Sequence, residues 1–224
     1  MSEKKVIAVI VEGPSDEAAL GSVLKEYFSN DEVRFAIVHG DITTRDGASK
    51  DTILRMVNDE IEGVKKKYGY DTEDFLKIIH IVDTDGAFCK DVIVEADIED
   101  VQYYRDRIET KHPAYLEKKH LQKAEVLFKL YSSNRVNSIN YKVYFNSCNL
   151  EDVLWGELKA YTDEEKEELA DDFADKYEGK IEEFIAFISQ KEVAVPGSFR
   201  QTWRFIEKDK HSLERFSNMH LIFK

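Results

Sequence analysis

Runs of apolar residues alternate along the chain with segments in which apolar positions recur at helical spacing. The first run extends from Val6 to Val11, and every one of its positions is apolar. A continuous run rich in β-branched residues is typical of a strand buried on both faces of a parallel sheet. Helical spacing follows from Ala18 to Phe28, and Pro14 suits the first turn of a helix. The pattern therefore predicts a strand, a tight turn and a helix.

The same alternation continues through the first part of the chain. Further strands are predicted at Val33 to His39, Phe75 to Val82 and Tyr141 to Phe145, with a helix at Lys50 to Lys67. Strands that alternate with helices indicate an α/β fold, here a Rossmann-like, mainly parallel sheet flanked by helices. Residues 97–138 are charged and helix-like, which predicts a helical insertion with a break near His112-Pro113.

Beyond Asn149 the pattern is almost entirely helical. Helices are predicted at 150–161, 163–177, 181–190 and 199–206. Thr162 is a good cap for the second of these, because an acidic first turn follows it. We therefore expect residues 1–148 to form the α/β domain and residues 149–224 to form a C-terminal helical region.

Composition limits the classes of function that the chain can have. It has 224 residues, of which 42% are hydrophobic, so its length suits one medium domain, or one domain with a substantial appendage. Its formal net charge is −13. This charge argues against a protein that coats DNA, since such proteins neutralise phosphates with Lys and Arg. It does not exclude an enzyme that acts on nucleic acid, because a bound divalent cation offsets local carboxylates.

Cysteine content and the apolar runs bear on the compartment. The two cysteines, Cys89 and Cys148, form no CxxC motif and no disulfide framework, so we expect reduced thiols. The apolar run near the N-terminus is too short for a signal peptide or a membrane span. The expected location is the cytoplasm, with no membrane association.

Two acidic motifs stand where predicted strands end. Glu12 follows the first strand, and Asp83 and Asp85 follow the third. Ligands of open parallel sheets gather outside the carboxyl ends of the strands, so we expect these carboxylates to converge. Asp83 and Asp85 are two positions apart, which on an extended backbone directs both to the same side. Gly13 and Gly86 are expected to allow sharp turns after the acids.

A cluster of carboxylates at one edge of a sheet predicts a magnesium site, or a manganese site. Magnesium prefers a few carboxylates together with retained waters and substrate phosphates. Without a cation, three carboxylates in contact would repel one another strongly.

The order of these motifs resembles the Toprim fold, which topoisomerases, bacterial primases and nucleases of the overcoming-lysogenization-defect type share. The resemblance is carried by Val-Glu-Gly-Pro-Ser-Asp at 11–16 and by Ile-Val-Asp-Thr-Asp-Gly at 81–86. It implies that Glu12 acts as a general acid or base or as a metal ligand, and that Asp83 and Asp85 bind magnesium. Asp16 matches an acidic position of several nuclease-type members, where it assists metal binding. The alternative for Asp16 is a first-turn acid that stabilises a helix.

A second stretch, Asn146 to Trp155, is similar to the segment that follows the last strand in RloB-like Toprim proteins of defence loci. Here Ser147 replaces a proline, and one additional residue precedes Glu151. The resemblance implies that Glu151 is a fourth acid of the site, for a second metal. The alternative is that Glu151 is a first-turn acid of the helix that follows.

The loop from Gly40 to Lys50 contains two further candidates. Arg45 and Lys50 are interpreted as contacts to the scissile phosphate of a substrate. The alternative is a solvated, charged loop.

Together the motifs predict a magnesium-dependent Toprim nuclease that hydrolyses phosphodiester bonds in DNA or RNA. The resemblance adds a role in phage defence beside a separately encoded ATPase partner, since this chain has no Walker motif. The alternative is a non-catalytic module of the same fold that binds a partner protein through its helical tail. The net charge of −13 keeps that alternative open.

Overall fold

A mainly parallel sheet lies at the centre of the protein. The computed structural model describes residues 5–37 and 39–224, and within them this sheet has five strands. Their order across the sheet is β2 (Glu32–Ile37), β1 (Val6–Val11), β3 (Phe75–Asp83), β8 (Ile139–Asn146) and β7 (Arg135–Val136). Neighbours are parallel from β2 to β8, and β7 is antiparallel to β8. Val38, within the predicted second strand, lies outside the described residues.

Helices cover both faces of this sheet. They are α1 (Pro14–Tyr27), α2 (Ile53–Tyr68), α3 (Pro113–Tyr131), α4 (Leu150–Trp155), α5 (Asp163–Tyr177), α6 (Ile181–Ile188) and α7 (Phe199–Ile206). Short 3₁₀ turns lie at Thr72–Asp74, His211–Leu213 and Met219–Phe223. The prediction of an α/β fold with a mainly parallel sheet flanked by helices is confirmed, and the architecture is compatible with a Rossmann-like fold.

Alternation along the strands divides the core into two layers. Ala8 and Ile10 face a layer built with α2, α3 and α7, whereas Val9 and Val11 face a layer built with α1, α5 and α6. Solvent is excluded from both layers at β1, because the residues of this strand are at most 1% exposed. This burial on both faces explains why the strand has a continuous apolar pattern.

The strand order creates a switch point between β1 and β3. From β1 the chain crosses through α1 on one face to β2, and it returns through α2 on the opposite face to β3. In open α/β sheets a crevice forms outside the carboxyl ends of strands at such a point, and ligands bind there. The residues that follow β1 and β3 are therefore placed at the position that the fold favours for a site.

The segment between β3 and β8 differs from the helical insertion predicted for residues 97–138. It contains β4 (Ile93–Glu95), β5 (Gln102–Tyr103) and β6 (Ile108–Thr110), which form a second small sheet, and α3 begins only at Pro113. The prediction of helix before the His112-Pro113 break was wrong. Very short strands with half-exposed polar side chains carry too few apolar positions to give a period of two.

The C-terminal residues contribute to both core layers. The predicted helices at 163–177 and 199–206 have the bounds of α5 and α7, and α4 ends early because Gly156 adopts a left-handed conformation at φ 82°. Trp203 lies in one layer and Phe184 in the other. The division at residue 148 stays a prediction, since neither core layer stops there. Across residues 5–37 and 39–224, no helix combines the length and apolar character that a membrane span requires.

Residues close to the C-terminus hold the end of β8. The side-chain oxygen of Asn218 accepts the Phe145 N–H at 2.8 Å, and its amide nitrogen donates to the Thr202 hydroxyl at 3.0 Å. The Ser217 hydroxyl donates to the Phe145 carbonyl at 2.9 Å. Asn218 is fully buried, so these bonds replace those that water would otherwise supply.

Replacing this buried amide should destabilise the fold. We expect Asn218→Ala to lower the free energy of unfolding by about 1–3 kcal/mol, because the buried Phe145 N–H loses its acceptor and the Thr202 hydroxyl, which still donates to the Phe199 carbonyl, loses a donor. The corresponding fall in the melting temperature is about 2–4 °C per kcal/mol, measured by thermal unfolding. Asn30→Ala removes the same group at an exposed position and serves as the control. Equal melting temperatures for the two variants would contradict this role of Asn218.

Candidate active site

The carboxyl ends of β1 and β3 bring Glu12 and Asp83 together. The main-chain N–H of Asp83 donates to Oε1 of Glu12 at 3.3 Å. On the other side of Asp83, the side-chain amide of Asn146 donates to Oδ1 at 3.1 Å. Asn146 ends β8, so the adjacent strands β1, β3 and β8 each contribute one polar side chain at the same edge of the sheet.

Asp85 reaches the same edge by a different geometry from the one that its spacing predicts. Asp83 ends β3, but Asp85 lies in a left-handed conformation at φ 47°, so the two residues do not share an extended backbone. Gly86 is also left-handed, at φ 68°, and an added Cβ would meet Leu213 at 2.7 Å. The expected turn at Gly86 is thus confirmed. The chain also bends at Gly13 as predicted, but its φ of −137° is one that any residue can adopt, so this turn does not require glycine.

An ion-paired lysine that the sequence analysis did not single out lies among these acids. The ammonium group of Lys123 donates to Asp85 at 2.5 Å and to Asp41 at 2.8 Å. Its side chain is only 1% exposed. Asp41 follows β2 in the chain, so the ends of β1, β2 and β3 all supply a carboxylate to this site.

A sequence signal for Lys123 exists. The buried positions of α3 recur at helical spacing, at Leu116, His120, Lys123, Leu127 and Leu130. A lysine within the apolar stripe of an amphipathic helix needs a buried anion as a partner. For Asp41 the signal is its place just after a predicted strand, as for Glu12.

Asp16 caps the first helix and also takes part in the cluster. Its Oδ2 accepts the main-chain N–H groups of Glu12 and Gly13, both at 3.0 Å. Burial raises the pKa of Asp16 to about 6, against the lowering effect of the Gly13 N–H, and repulsion from Glu151 adds to the rise. Oδ2 of Asp16 therefore has the helix-stabilising role, as the alternative interpretation expected. Metal binding by Asp16 stays a prediction.

Glu151 lies near the same group of acids, on the first turn of α4. It forms an ion pair with Lys166 of α5 at 2.5 Å, and its side chain is 9% exposed. Its charge raises the pKa of Asp83 and of Asp16, which places it within electrostatic reach of both. Residues of the C-terminal helical region thus complete one side of the cluster.

Arg45 and Lys50, the candidate substrate contacts, each pair with an acid on a helix. Arg45 bonds Glu60 of α2 at 3.2 Å, and Lys50 lies 3.6 Å from Glu125 of α3. Contact with a substrate phosphate stays a prediction for both residues.

We call the group formed by these side chains the acid cluster. Its members are Glu12, Asp16, Asp41, Asp83, Asp85 and Glu151, together with Lys123 and Lys166. Burial raises the pKa of Glu12 well above its usual value, and repulsion from Asp41 raises it further. Burial and repulsion from Glu12 act in the same way on the pKa of Asp83. The pKa of Asp85 is raised as well, by burial that Lys123 offsets only in part.

Lys123 is charged despite its burial. Burial alone would lower its pKa, but attraction to Asp85 and Asp41 holds that pKa well above its usual value. Burial would likewise raise the pKa of Asp41, but attraction to Lys123 and the bonds from Thr43 lower it. One lysine and two aspartates therefore form a charged unit inside the cluster.

The donor set of the acid cluster fits a hard divalent cation. Its six carboxyl groups exceed its two ammonium groups by four, and carboxylate oxygens are the ligands that magnesium and manganese prefer. Within residues 5–37 and 39–224 no three acidic, histidine or cysteine side chains are already arranged as a complete ligand set. The Lys123 ion pairs and the Asp16 cap keep several of the carboxylates turned to other partners.

Comparison with known proteins adds no family assignment. No family model matches the chain, and no curated protein and no solved structure matches it. The chemistry of the acid cluster therefore has to be argued from its own side chains.

The raised pKa values predict how stability depends on pH when no metal is bound. A carboxyl group whose pKa is higher in the folded chain retains a proton that the unfolded chain releases, so stability falls as pH rises through the folded pKa. We expect the metal-free protein to lose stability as pH rises from about 4, where these carboxyl groups ionise in the unfolded chain, through about 6, the folded pKa of Asp16. The raised pKa values of Glu12 and Asp83 contribute in the same direction. Magnesium should reduce this loss by balancing the carboxylates.

The variant Asp83→Asn tests the sign of this effect. It keeps Oδ1 for the bond from Asn146 but removes the charge, so we expect its metal-free melting temperature at about pH 8 to exceed that of the parent by a few degrees. Taking the difference at each pH cancels the opposite contribution of His80, whose pKa burial lowers to about 3. Asp171→Asn, on the exposed face of α5, is the control. A lower melting temperature for Asp83→Asn would refute mutual repulsion.

Proposed function

We propose that this chain is a magnesium-dependent nuclease of the Toprim type that hydrolyses phosphodiester bonds in nucleic acid. One observation carries the proposal: Glu12 and Asp83 meet at the carboxyl ends of neighbouring strands, within a cluster whose carboxyl groups exceed its ammonium groups. The cluster lies at the switch point of the sheet, where ligands of open α/β folds bind. The assignment to the Toprim type rests on Glu12 after β1 and on Asp83 and Asp85 after β3.

Asp83, Asp85 and Glu12 are the residues that would hold the metal, and Asp16 and Glu151 are available for a second ion. A bound magnesium ion supplies a Lewis acid for a phosphoryl oxygen and lowers the pKa of an attached water. Asn146 keeps Asp83 oriented by donating to its Oδ1 at 3.1 Å. Residues that orient a ligating carboxylate raise the precision of a site without touching the metal.

Glu12 is suited to carry a proton. The pKa of Glu12 is raised well above the ordinary value of a glutamate, and a shift in this direction favours a role as general acid or base. Burial and the negative charge of Asp41 are the causes of this rise. We assign to Glu12 the role of general acid or base at the oxygen of the scissile bond.

Lys123 provides a fixed positive charge beside the carboxylates. It is held by Asp41 and Asp85 at 2.8 and 2.5 Å. Its side chain therefore loses little additional conformational entropy when a phosphate binds. Charges that are oriented before the reaction stabilise developing negative charge better than mobile ones. We assign to Lys123 the stabilisation of charge on the phosphate.

A non-catalytic binding module is the competing proposal. The observation that favours it is the Lys123 ion pair, which neutralises part of the cluster without any metal. Such a pair would also hold the acids of a metal site together before a cation binds, so metal binding and cleavage have to be measured separately.

Metal binding and cleavage should depend on the residues of the cluster to different degrees. We expect calorimetry to detect magnesium or manganese binding that Asp83→Asn strongly weakens, because a carboxylate ligand becomes a neutral amide. Glu12→Gln should also bind metal more weakly, but at saturating metal it should still lose cleavage of plasmid DNA or single-stranded RNA by about 10²–10⁴-fold, the usual contribution of a general acid or base.

Asp171→Asn, which changes an exposed acid outside the cluster, should behave as the parent protein in both assays. Intact plasmid and intact RNA with both metals would refute the nuclease and favour the binding module.

Removal of the lysine should separate metal affinity from catalysis. Lys123→Met keeps the length of the side chain but removes its charge, so the cluster becomes more negative and metal affinity should hold or rise. Cleavage should nevertheless fall by about 10²–10³-fold, the range seen when one charge-stabilising group is lost. Lys118→Met, at an exposed position of the same helix, is the matched control. A loss of metal affinity with unchanged turnover at saturating metal would overturn this role.

A further inference from the structure

A cleft opens beside the acid cluster, between the small sheet and the first half of α3. Its volume is about 310 Å³, and Asp85 and Lys123 of the cluster lie in its wall. Tyr103 of β5 and Tyr115 of α3 also line it. Whatever occupies this cleft therefore adjoins the residues assigned to the scissile phosphate.

The strongest indication of a ligand in the cleft is the imidazole ring of His120. It lies in the cleft wall and is 6% exposed. In the part of the chain that the structure describes, neither of its ring nitrogens has a hydrogen-bond partner. Buried polar groups in folded proteins are almost always bonded, so an unbonded imidazole in a cleft indicates a missing partner. Burial, together with Lys123, lowers the pKa of His120 to about 4, so the neutral ring offers one donor and one acceptor.

The aromatic side chains of the cleft suit a planar ligand. Tyr115 is 61% exposed although it is a large aromatic residue at the start of a helix, and Tyr103 is half-buried. Nucleic-acid bases stack on such rings with little dependence on sequence. The ammonium group of Lys119 lies 5.0 Å from the centre of the Tyr115 ring, which places a positive charge next to that surface.

The charge of the cleft is opposite to that of the protein as a whole. Lys111, Lys119 and Lys123 line it together with two acids, Glu99 and Asp85 of the cluster. A protein of net charge −13 that gathers lysines around an aromatic pocket offers a local attraction for phosphate.

The walls of the cleft are held firmly. Arg105, between β5 and β6, forms two bonds of 2.5 Å with the carboxylate of Asp152, which is fully buried at the start of α4. A bidentate pair of this kind is both strong and directional. It ties the small sheet, which forms one wall of the cleft, to the helix that carries Glu151.

We propose that this cleft binds one unpaired nucleotide adjoining the scissile phosphate, so that the substrate is single-stranded nucleic acid or carries a single-stranded end. The inference rests on the proposed nuclease function for the position of the scissile phosphate. The volume is at the small end of the range of about 300–1,000 Å³ for ligand pockets, which suits one nucleoside and not a base pair. His120 reads the edge of the base, Tyr115 stacks on its face, and Lys119 contacts a neighbouring phosphate.

Binding measured without cleavage tests the proposal. Fluorescence anisotropy is recorded with labelled single-stranded RNA, single-stranded DNA and the corresponding duplexes, with calcium in place of magnesium. We expect at least one single strand to bind about tenfold or more tightly than its duplex. Tyr115→Ala should weaken that binding by about tenfold, in keeping with the loss of one stacking contact. The RNA and DNA arms identify which sugar the site accepts.

Matched variants on the same helix serve as controls. Phe128→Ala removes an aromatic side chain of similar exposure outside the cleft wall, and Lys118→Ala is compared with Lys119→Ala. His120→Leu fills the same space without polar atoms, so it should reduce the differences in affinity among oligo(A), oligo(C) and oligo(U). Equal binding of single strands and duplexes, or equal effects of Tyr115→Ala and Phe128→Ala, would overturn the proposal.

The outcomes also separate this inference from the proposed function. Single-strand binding that Tyr115→Ala weakens, in a protein that cleaves nothing with magnesium or manganese, supports the cleft and refutes the nuclease. Cleavage of duplex DNA that Tyr115→Ala and His120→Leu leave unchanged supports the nuclease and refutes the cleft.

Discussion

Electrostatic repulsion among carboxyl groups at one edge of the sheet is the constraint on which the candidate site depends. Parallel strands place their carboxyl ends together, so the acids that follow β1, β2 and β3 meet whether or not a cation is present. The positive charge of Lys123 offsets part of this repulsion. Lys123 bonds Asp41 and Asp85 and is almost inaccessible to solvent. Burial, together with the repulsion that remains, raises the pKa values of Glu12 and Asp83, the two acids that contact each other. Strongly perturbed pKa values in a group of charged side chains are concentrated at functional sites, which supports the proposed role of the acid cluster.

Segments far apart in the chain supply the partial compensation. Lys123 arrives on α3, which belongs to the segment between β3 and β8, and Lys166 arrives on α5 from the C-terminal helical region. The end of β8 is in turn fixed by Asn218, whose side chain accepts the Phe145 N–H. The site therefore exists only when the sheet, the inserted segment and the C-terminal helices are folded together. A division of the chain near residue 148 describes its sequence pattern better than its stability.

What could be predicted from the sequence depended on how far each residue's neighbours lie along the chain. The strand from Val6 to Val11 was recognised because burial on both faces leaves a local apolar pattern, and the position of Glu12 followed from it. The turn at Asp85 was not recognised, because a left-handed aspartate is a local conformation that spacing does not encode. Lys123 was missed because its partner Asp85 is 38 positions away, and only tertiary structure decides which acid a buried lysine meets. The small sheet was missed because its strands are too short to show a period.

The net charge of −13 and a nucleic-acid substrate are compatible once distance is considered. Exposed charges are screened beyond about 8–10 Å at physiological ionic strength, so the field of remote acids contributes little to the energy of a phosphate in the cleft. The groups within that distance are the lysines of α3 and the cleft, and the carboxylates of the acid cluster. The lysines attract the backbone, whereas the carboxylates repel it until a divalent cation is bound. For the proposed function we therefore expect substrate binding to depend on metal binding, because the carboxylates of the acid cluster repel a phosphate until a divalent cation balances them.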